Sequence, residues 1–178
     1  MRTWYARQIR NYRMLAELKA FHGREIEPLL GAPIGASFED VAALEGRLAV
    51  TLPAEYREIL LWLGRDYDGA LVGSDCFIDQ IERNNELLPE LLLENDVRHE
   101  FSGRHVTFFA HQGYQAAWFE LPVVASPPIV FSFGEGGPDA VMKLPSVSGF
   151  FLEQLKGLLP AIKQVHAAGG RSRVLRGR

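Results

Sequence analysis

The chain has 178 residues, of which 47% are hydrophobic and 23% are charged. This length and composition are typical of one globular domain with its own core, and they exclude wholesale disorder. The single cysteine, Cys76, excludes an internal disulfide and a cysteine-rich metal module. No apolar run approaches the roughly 20 residues of a membrane helix, and the N-terminus lacks the apolar region of a secretion signal. We therefore expect a soluble, cytoplasmic protein that does not enter the membrane.

The net charge of −3 is unevenly distributed along the chain. Residues 1–24 carry six bases and one acid, residues 171–178 carry four bases, and residues 25–170 carry 21 acids and nine bases. Such asymmetry bears on partners rather than on fold. The acidic body is either a solvated surface or a surface that meets something basic. The arginines of the tail have no aromatic residues between them for stacking on bases, so we do not expect nucleic acid as a partner.

Helical patterns occupy the first part of the chain. Residues 3–22 carry apolar side chains at helical spacing and precede a loop rich in proline and glycine at residues 28–35. The sequence Ser-Phe-Glu-Asp from Ser37 matches a capping box and predicts the start of a second helix. A third helix is predicted to begin with Pro53 at its first position and to end at Gly64.

The second part changes from helical to strand patterns. Residues 66–73 are rich in turn formers, and residues 78–95 return to helical spacing. Pro89 is predicted to divide this segment into two short helices or to kink it. A closing helix begins at Ser146 or Ser148. Between these helices, alternating patterns joined by tight turns predict strands at residues 106–110, 114–119, 129–133 and 140–144.

The order of these elements indicates an α+β fold. An antiparallel sheet of about four to six strands would be covered by N-terminal and C-terminal helices. We divide the chain into a basic N-terminal helix and loop at residues 1–33, a main domain at residues 34–165, and a basic tail at residues 166–178 that we expect to be flexible.

Motifs between residues 34 and 160 carry a family resemblance. The most specific is the sequence Leu-Pro-Ala-Glu-Tyr-Arg from Leu52, which follows an amphipathic helix around Leu44 and precedes an aliphatic face ending at Gly64. Three further features contribute to the resemblance. They are the turn Gln-Gly-Tyr that begins at Gln112, the tryptophan at position 118, and a later helix start with the sequence Ser-Gly-Phe-Phe-Leu. Together they resemble the SUKH superfamily of cell-wall-assembly regulators and bacterial immunity proteins. The resemblance implies a SUKH-like α+β domain at residues 34–165 that neutralises a polymorphic toxin by binding it.

The side chains that commonly catalyse reactions lack the motifs of an active site. His99, His105 and His111 recur at a spacing that fits neither a metal-binding helix face nor a zinc site. Cys76 has no nucleophile signature around it, and the glycines from Gly134 lead into a strand rather than a phosphate-binding helix. We therefore predict no enzyme activity, no cofactor and no metal. A hydrolase would have to be built on Asp66, Asp68, Asp75 and Asp79, which no framing motif surrounds.

The sequence between Asp75 and Glu100 carries eight acids and two bases. Four of these acids recur every four residues, so they would form one ridge on a continuous helix. A solvated face is one interpretation, because like charges at this spacing cost only about 0.2–0.5 kcal/mol per pair. The other is a binding surface for a basic partner. The predicted partner-binding residues are Asp75, Asp79, Glu82, Glu86, Glu90 and Glu94, with Tyr67, Phe77 and Phe101 as candidate aromatic anchors.

We therefore predict an immunity protein that binds and neutralises a cognate toxin, for example a nuclease, through an acidic surface. The alternative is a regulatory or small-molecule-binding module on the same scaffold, and a hydrolase is the third interpretation. The three differ in a simple test. An immunity protein forms a stoichiometric complex with a toxin, a ligand sensor is stabilised by a metabolite, and a metal hydrolase loses activity with a chelator.

Overall fold

The computed structural model describes residues 13–67, 69–123, 127–135 and 141–168. Within them, five helices and a five-stranded antiparallel sheet confirm the predicted α+β fold. Residues 3–12 of the predicted first helix and the arginines of the tail lie outside the described residues. In the part of the chain that is described, no helix combines the length and the apolarity that a membrane span requires.

The first helix, α1, covers residues 13–30 and so continues beyond its predicted end. It contains a π-helical turn at His22–Ile26 and closes with an α-helical turn at Glu27–Leu30. Pro28, which the sequence placed in a loop, stands near the start of that last turn, where a missing N–H is tolerated. The helix packs into the same core as the rest of the domain through Leu15, Leu18 and Ile26.

Two short helices follow, α2 (Phe38–Leu48) and α3 (Ala54–Leu63). The predicted capping box is confirmed, because the Asp40 N–H donates to Ser37 Oγ at 3.1 Å and the Ser37 N–H donates to Asp40 Oδ2 at 2.9 Å. Pro53 is the N-cap of α3, one residue before the helical position that was predicted for it.

Glu45 ties these two helices together. Its Oε1 atom accepts one hydrogen bond from the Leu52 N–H and another from Arg57 Nη2, each at 2.6 Å. One carboxylate therefore holds both ends of the Leu-Pro-Ala-Glu-Tyr-Arg sequence, which fixes the turn between α2 and α3.

The sheet is a meander whose strands lie in chain order. The sequence predicted all of them except the first, because two residues are too few to show an alternating pattern. A β-bulge between Thr107 and Phe109 lets Phe108 and Phe109 both reach the main core. The strands are β1 (Ser74–Asp75), β2 (Arg104–His111), β3 (Gln115–Leu121), β4 (Val130–Gly134) and β5 (Met142–Leu144).

The two remaining helices differ from their predictions in one respect each. α4 (Ile81–Glu94) is a single helix that contains Pro89, so the predicted division into two short helices is wrong, and the alternative of a kink at Pro89 stays a prediction. α5 (Val147–Ala167) begins after Ser146, whose Oγ accepts the Gly149 N–H at 2.9 Å. It continues to Ala167, so the first two residues of the predicted tail are helical.

Two hydrophobic clusters lie on opposite faces of the sheet. The larger cluster includes Tyr56, Phe108 and Phe119 and is covered by α1, α2, α3 and α5. On the other face, Trp118 and Phe133 pack against Leu88 and Leu92 of α4. Because Ile81 at the start of α4 belongs to the larger cluster, the helix crosses the edge of the sheet from one face to the other.

Candidate functional site

α4 lies along an edge of the sheet that the short β1 leaves open. β1 pairs with β2 only at Ala110 and His111, and no other described strand lies beyond β2 on that side. There Asn85 Oδ1 accepts the Thr107 N–H at 2.6 Å. A side chain of α4 thus takes the place of a neighbouring strand and protects an edge that would otherwise be open to pairing.

The predicted glutamates share one side of α4 because the helix is continuous. Residues four apart lie one above the other, so the four side chains follow roughly 18 Å of helix. Glu82 Oε2 accepts the Arg47 Nε at 2.7 Å, which partly neutralises the beginning of the row. Glu86, Glu90 and Glu94 are exposed. We call these four glutamates the acidic ridge.

A groove of about 520 Å³ separates α4 from the β2–β3 hairpin. Asp75, Glu90 and Glu94 line it, and Arg83 is the one base among the described residues of its wall. Leu87, which also lines the groove, is 42% exposed. The groove therefore combines net negative charge with an exposed apolar side chain.

Two buried oxygen atoms belong to residues in the wall of this groove and have no hydrogen-bond partner among the described residues. They are Oδ1 of Asn84 and Oγ1 of Thr107, and each of these residues is 1% exposed. The amide nitrogen of Asn84 donates to the main-chain oxygen of Asp75 at 2.8 Å, which leaves Oδ1 as an acceptor. A buried acceptor without a donor costs about 1–3 kcal/mol. Because both oxygens are buried, this cost falls on the fold, and a partner that lies in the groove does not contact them.

The other predicted site residues lie in several environments. Asp75 is half-buried and accepts the Gln80 Nε2 at 2.9 Å, and Asp79 is exposed just before α4. Phe77 is half-buried against the larger hydrophobic cluster. Tyr67 is 2% exposed because it packs in the core against the rings of α1 and α3. A side chain buried to this extent offers no surface to a partner, so Tyr67 cannot be the surface anchor that was expected.

The apolar side chains that α4 does expose were missed by the sequence analysis. Residues 87–93 contain five leucines. Leu88 and Leu92 are buried, whereas Leu87 and Leu93 are 42% and 77% exposed. One face of a helix cannot bury five leucines in seven positions, and this surplus was the signal that could have found them.

The loop between α4 and β2 is held by His99, another contact that the sequence did not indicate. Its Nε2 atom lies 2.7 Å from Glu120 Oε1, and Phe101, Trp118 and Phe131 surround its ring at centroid distances of 4.9–5.1 Å. Burial would raise the pKa of Glu120, but hydrogen bonds from a serine of the same loop and from His99 outweigh the effect of burial. The pKa of Glu120 is therefore lowered. Phe101, a candidate anchor, is therefore half-buried in this cluster.

The acids proposed for a hydrolase do not form a metal centre in the described part of the chain. No group of three or more His, Cys, Asp or Glu side chains there could hold a metal ion, and Asp68 lies outside the described residues. The main chain of Asp66 forms a bridge to Ile34. Burial, with a smaller contribution from Asp75, raises the pKa of the Cys76 thiol to about 12. The thiolate that a cysteine nucleophile needs is thus disfavoured.

Comparison of the sequence with protein-family models and with curated proteins gives no match. The SUKH resemblance therefore stays a prediction that depends on the motifs given above. The function has to be argued from the acidic ridge, the groove beside it and the exposed leucines of α4.

Proposed function

We propose that this protein binds a basic surface of another protein through α4 and the groove beside it, and that it acts in the cytoplasm as an immunity protein against a toxin. One observation carries the proposal. Glu86, Glu90 and Glu94 are exposed in one row on α4, beside a groove whose described lining holds three acids and one base. A lysine or arginine of the partner would bring N–H donors to these carboxylates and a charge that they balance.

Charge and apolar surface contribute differently to such an interface. The exposed carboxylates of the acidic ridge would attract a basic partner and raise the rate of encounter. Affinity depends more on apolar side chains that the partner covers and dries. Leu87 and Leu93 are exposed on the same helix and are suited to that part. These two leucines replace Tyr67 and Phe77 as the anchors of the proposed surface.

The immunity role comes from the family resemblance, and the acidic ridge is consistent with it. A nuclease binds phosphates with lysines and arginines in its substrate groove. A row of carboxylates roughly 18 Å long could occupy such a groove in place of the phosphates. Neutralisation of this kind is stoichiometric and needs no catalytic group on the inhibitor.

The partner can be identified by site-specific cross-linking. A photo-reactive amino acid replaces Glu86 on α4 in the full chain, and a matched variant carries it at Glu58, an exposed glutamate of α3. Both variants are expressed in the source cells, and the cross-linked proteins are identified by mass spectrometry. We expect an enzyme with a basic substrate groove to cross-link at position 86 and not at position 58.

The enzyme found in this way is then assayed with the purified chain. We expect inhibition to be complete at one molecule of inhibitor per enzyme. The double variant Glu86→Lys, Glu90→Lys should lose inhibition. The variant Glu17→Lys, Glu58→Lys makes the same charge change on other helices and should keep it. Inhibition that survives the first pair of changes, or product formed by this chain alone, would contradict the proposal.

A further inference from the structure

A second cavity lies on the side of the sheet that faces α5. It is a cleft of about 400 Å³ between the second half of α5, the turn before β1 and the β2–β3 hairpin. Its walls are mainly apolar, and its volume falls within the range of about 300–1,000 Å³ that small-molecule sites occupy. The apolar lining includes Leu71, Phe109, Leu158, Ile162 and Val165. Of the residues predicted for partner binding, none lines this cleft.

A serine–histidine pair contributes polar atoms to the lining of the cleft, together with Gln115 and Gln154. Ser74 Oγ lies 2.9 Å from His111 Nδ1. If the hydroxyl donates to Nδ1, the ring carries its proton on Nε2 and can donate from there. If Nδ1 carries the proton and donates to the serine, the hydroxyl hydrogen is free to donate onward. In both arrangements the pair keeps a donor for an oxygen atom of a ligand.

The charges around this cleft differ from those around α4. None of the described residues that line it is Asp, Glu, Lys or Arg, although the body of the chain is strongly acidic. His111 and His166 are its titratable side chains apart from Tyr114. Among the described lining residues, a carboxylate would meet no acid, and an ammonium group would find no carboxylate to pair with.

The rim of the cleft exposes apolar side chains to solvent. Val72, Tyr114 and Val165 all line the cleft and are all among the exposed large hydrophobic residues of the described chain. They come from the turn before β1, from the hairpin and from α5, so three separate segments bring apolar surface to one opening. Such convergence is characteristic of a site that an apolar group enters.

We propose that this cleft binds a small carboxylic acid with an apolar tail. A carboxylate oxygen accepts the hydrogen bond that the Ser74–His111 pair has to offer, and the tail lies between Phe109 and Leu158. The site is separate from the acidic ridge, so a ligand and a protein partner can be tested independently.

The test needs no variant in its first step. The full chain, labelled with ¹⁵N, is titrated with octanoate and with octylammonium, which have the same tail and opposite charges. We expect saturable shifts with octanoate at the amides of residues 69–74 and 109–115, and binding of octylammonium at least about tenfold weaker. Absence of saturable shifts up to about 10 mM octanoate, or equal binding of the two probes, would overturn the proposal.

Two variants on α5 then locate the site. Ala161 lines the cleft, so Ala161→Phe should fill it and weaken octanoate binding at least about tenfold. Gln164 is exposed on the same helix and does not line the cleft, so Gln164→Phe should leave binding unchanged. Octanoate binding that both variants retain would place the probe elsewhere. If octanoate fails to bind and Ala161→Phe instead disrupts a protein complex, the cleft is a protein contact and the proposal is wrong.

Discussion

His105 on β2 donates from its Nε2 atom to the main-chain oxygen of Asn85 on α4, at 3.2 Å. Asn85 lies four residues before Pro89, and proline has no N–H with which to close the helical bond to that oxygen. The histidine supplies the missing donor from another element. This bond satisfies the carbonyl that Pro89 leaves open within a single helix, and it attaches α4 to the sheet at the same point.

The first prediction tests this replacement with a double-mutant cycle. His105→Phe keeps a ring that can stack on Phe101, which lies at a centroid distance of 4.5 Å, but removes the donor. We expect it to lower the free energy of unfolding by about 1–2 kcal/mol. In a Pro89→Ala background the loss of unfolding free energy should be smaller, because the restored N–H at position 89 donates to the main-chain oxygen of Asn85. Urea denaturation of the four proteins measures both losses, and equal losses would contradict this account.

The same bond explains where the sequence analysis of the fold succeeded and where it failed. The capping box at Ser37, the turn at Pro53 and the hairpins were predictable because neighbouring residues determine them. The continuity of α4 was not predictable, because the donor that satisfies the Asn85 main-chain oxygen comes from His105, 16 residues beyond Pro89 in the sequence. The two-residue β1 was missed for a related reason, since only its pairing with β2 makes it a strand.

A second prediction concerns the edge of the sheet. Asn85→Ala removes the acceptor of the Thr107 N–H and leaves this edge of β2 open. We expect a loss of about 1–2 kcal/mol in stability and faster hydrogen exchange at the Thr107 amide, measured by NMR. Asn95→Ala is the control, because Asn95 donates to the Leu91 oxygen at the other end of the helix. Unchanged exchange at Thr107 in the first variant would contradict the prediction.

The candidate site divides in the same way into local and long-range parts. The acidic ridge was predictable, because a spacing of four residues needs only a helix to become a row. The unpartnered oxygens of Asn84 and Thr107 in the wall of the groove were not predictable, because these residues belong to two elements that meet only in the fold. The burial of Tyr67 also depends on distant contacts, with the ring of His22 at a centroid distance of 5.3 Å.

A third prediction follows from the first turn of α2. Arg65 Nη2 lies 2.5 Å from Asp40 Oδ1, and its hydrogen bond is the main reason that the Asp40 pKa falls from 3.8 to about 2. Because the folded pKa is below the unfolded one, this group adds stability above about pH 4 and loses it as the pH falls towards 2. The stability difference between the wild type and Asp40→Asn should therefore shrink from pH 5 to pH 2.5. Thermal denaturation measures it, and a constant difference would exclude this linkage.

A fourth prediction concerns Glu55, whose pKa is shifted in the opposite direction to that of Asp40. Burial raises the pKa of Glu55, although the Ser148 N–H donates to its Oε1 at 3.2 Å and acts against that effect. The folded protein thus holds the proton more tightly than the unfolded chain, and this group lowers stability as the pH rises above 4.5. Glu55→Gln, which stays neutral, should gain stability relative to the wild type between pH 5 and pH 7.5.

The control for Glu55 is Glu58→Gln, which changes an exposed glutamate of the same helix. It should show no comparable pH-dependent gain in thermal denaturation. A gain that is the same at both pH values for Glu55→Gln would mean that the amide packs better and that proton linkage is not the cause.

The last prediction concerns the rate at which a basic partner meets the acidic ridge, and it depends on the proposed function. Changing Glu86, Glu90 and Glu94 to Gln removes three exposed charges without altering side-chain size. We expect association at low salt to slow by about tenfold, and the difference from wild type to vanish near 0.5 M salt, where exposed charges are screened within about 4 Å. Glu82→Gln alone should have less effect because Arg47 already pairs with Glu82. Stopped-flow kinetics at several salt concentrations measure these rates. If the triple variant associates as fast as the wild type at low salt, the ridge is a solvated face and has no part in steering the partner.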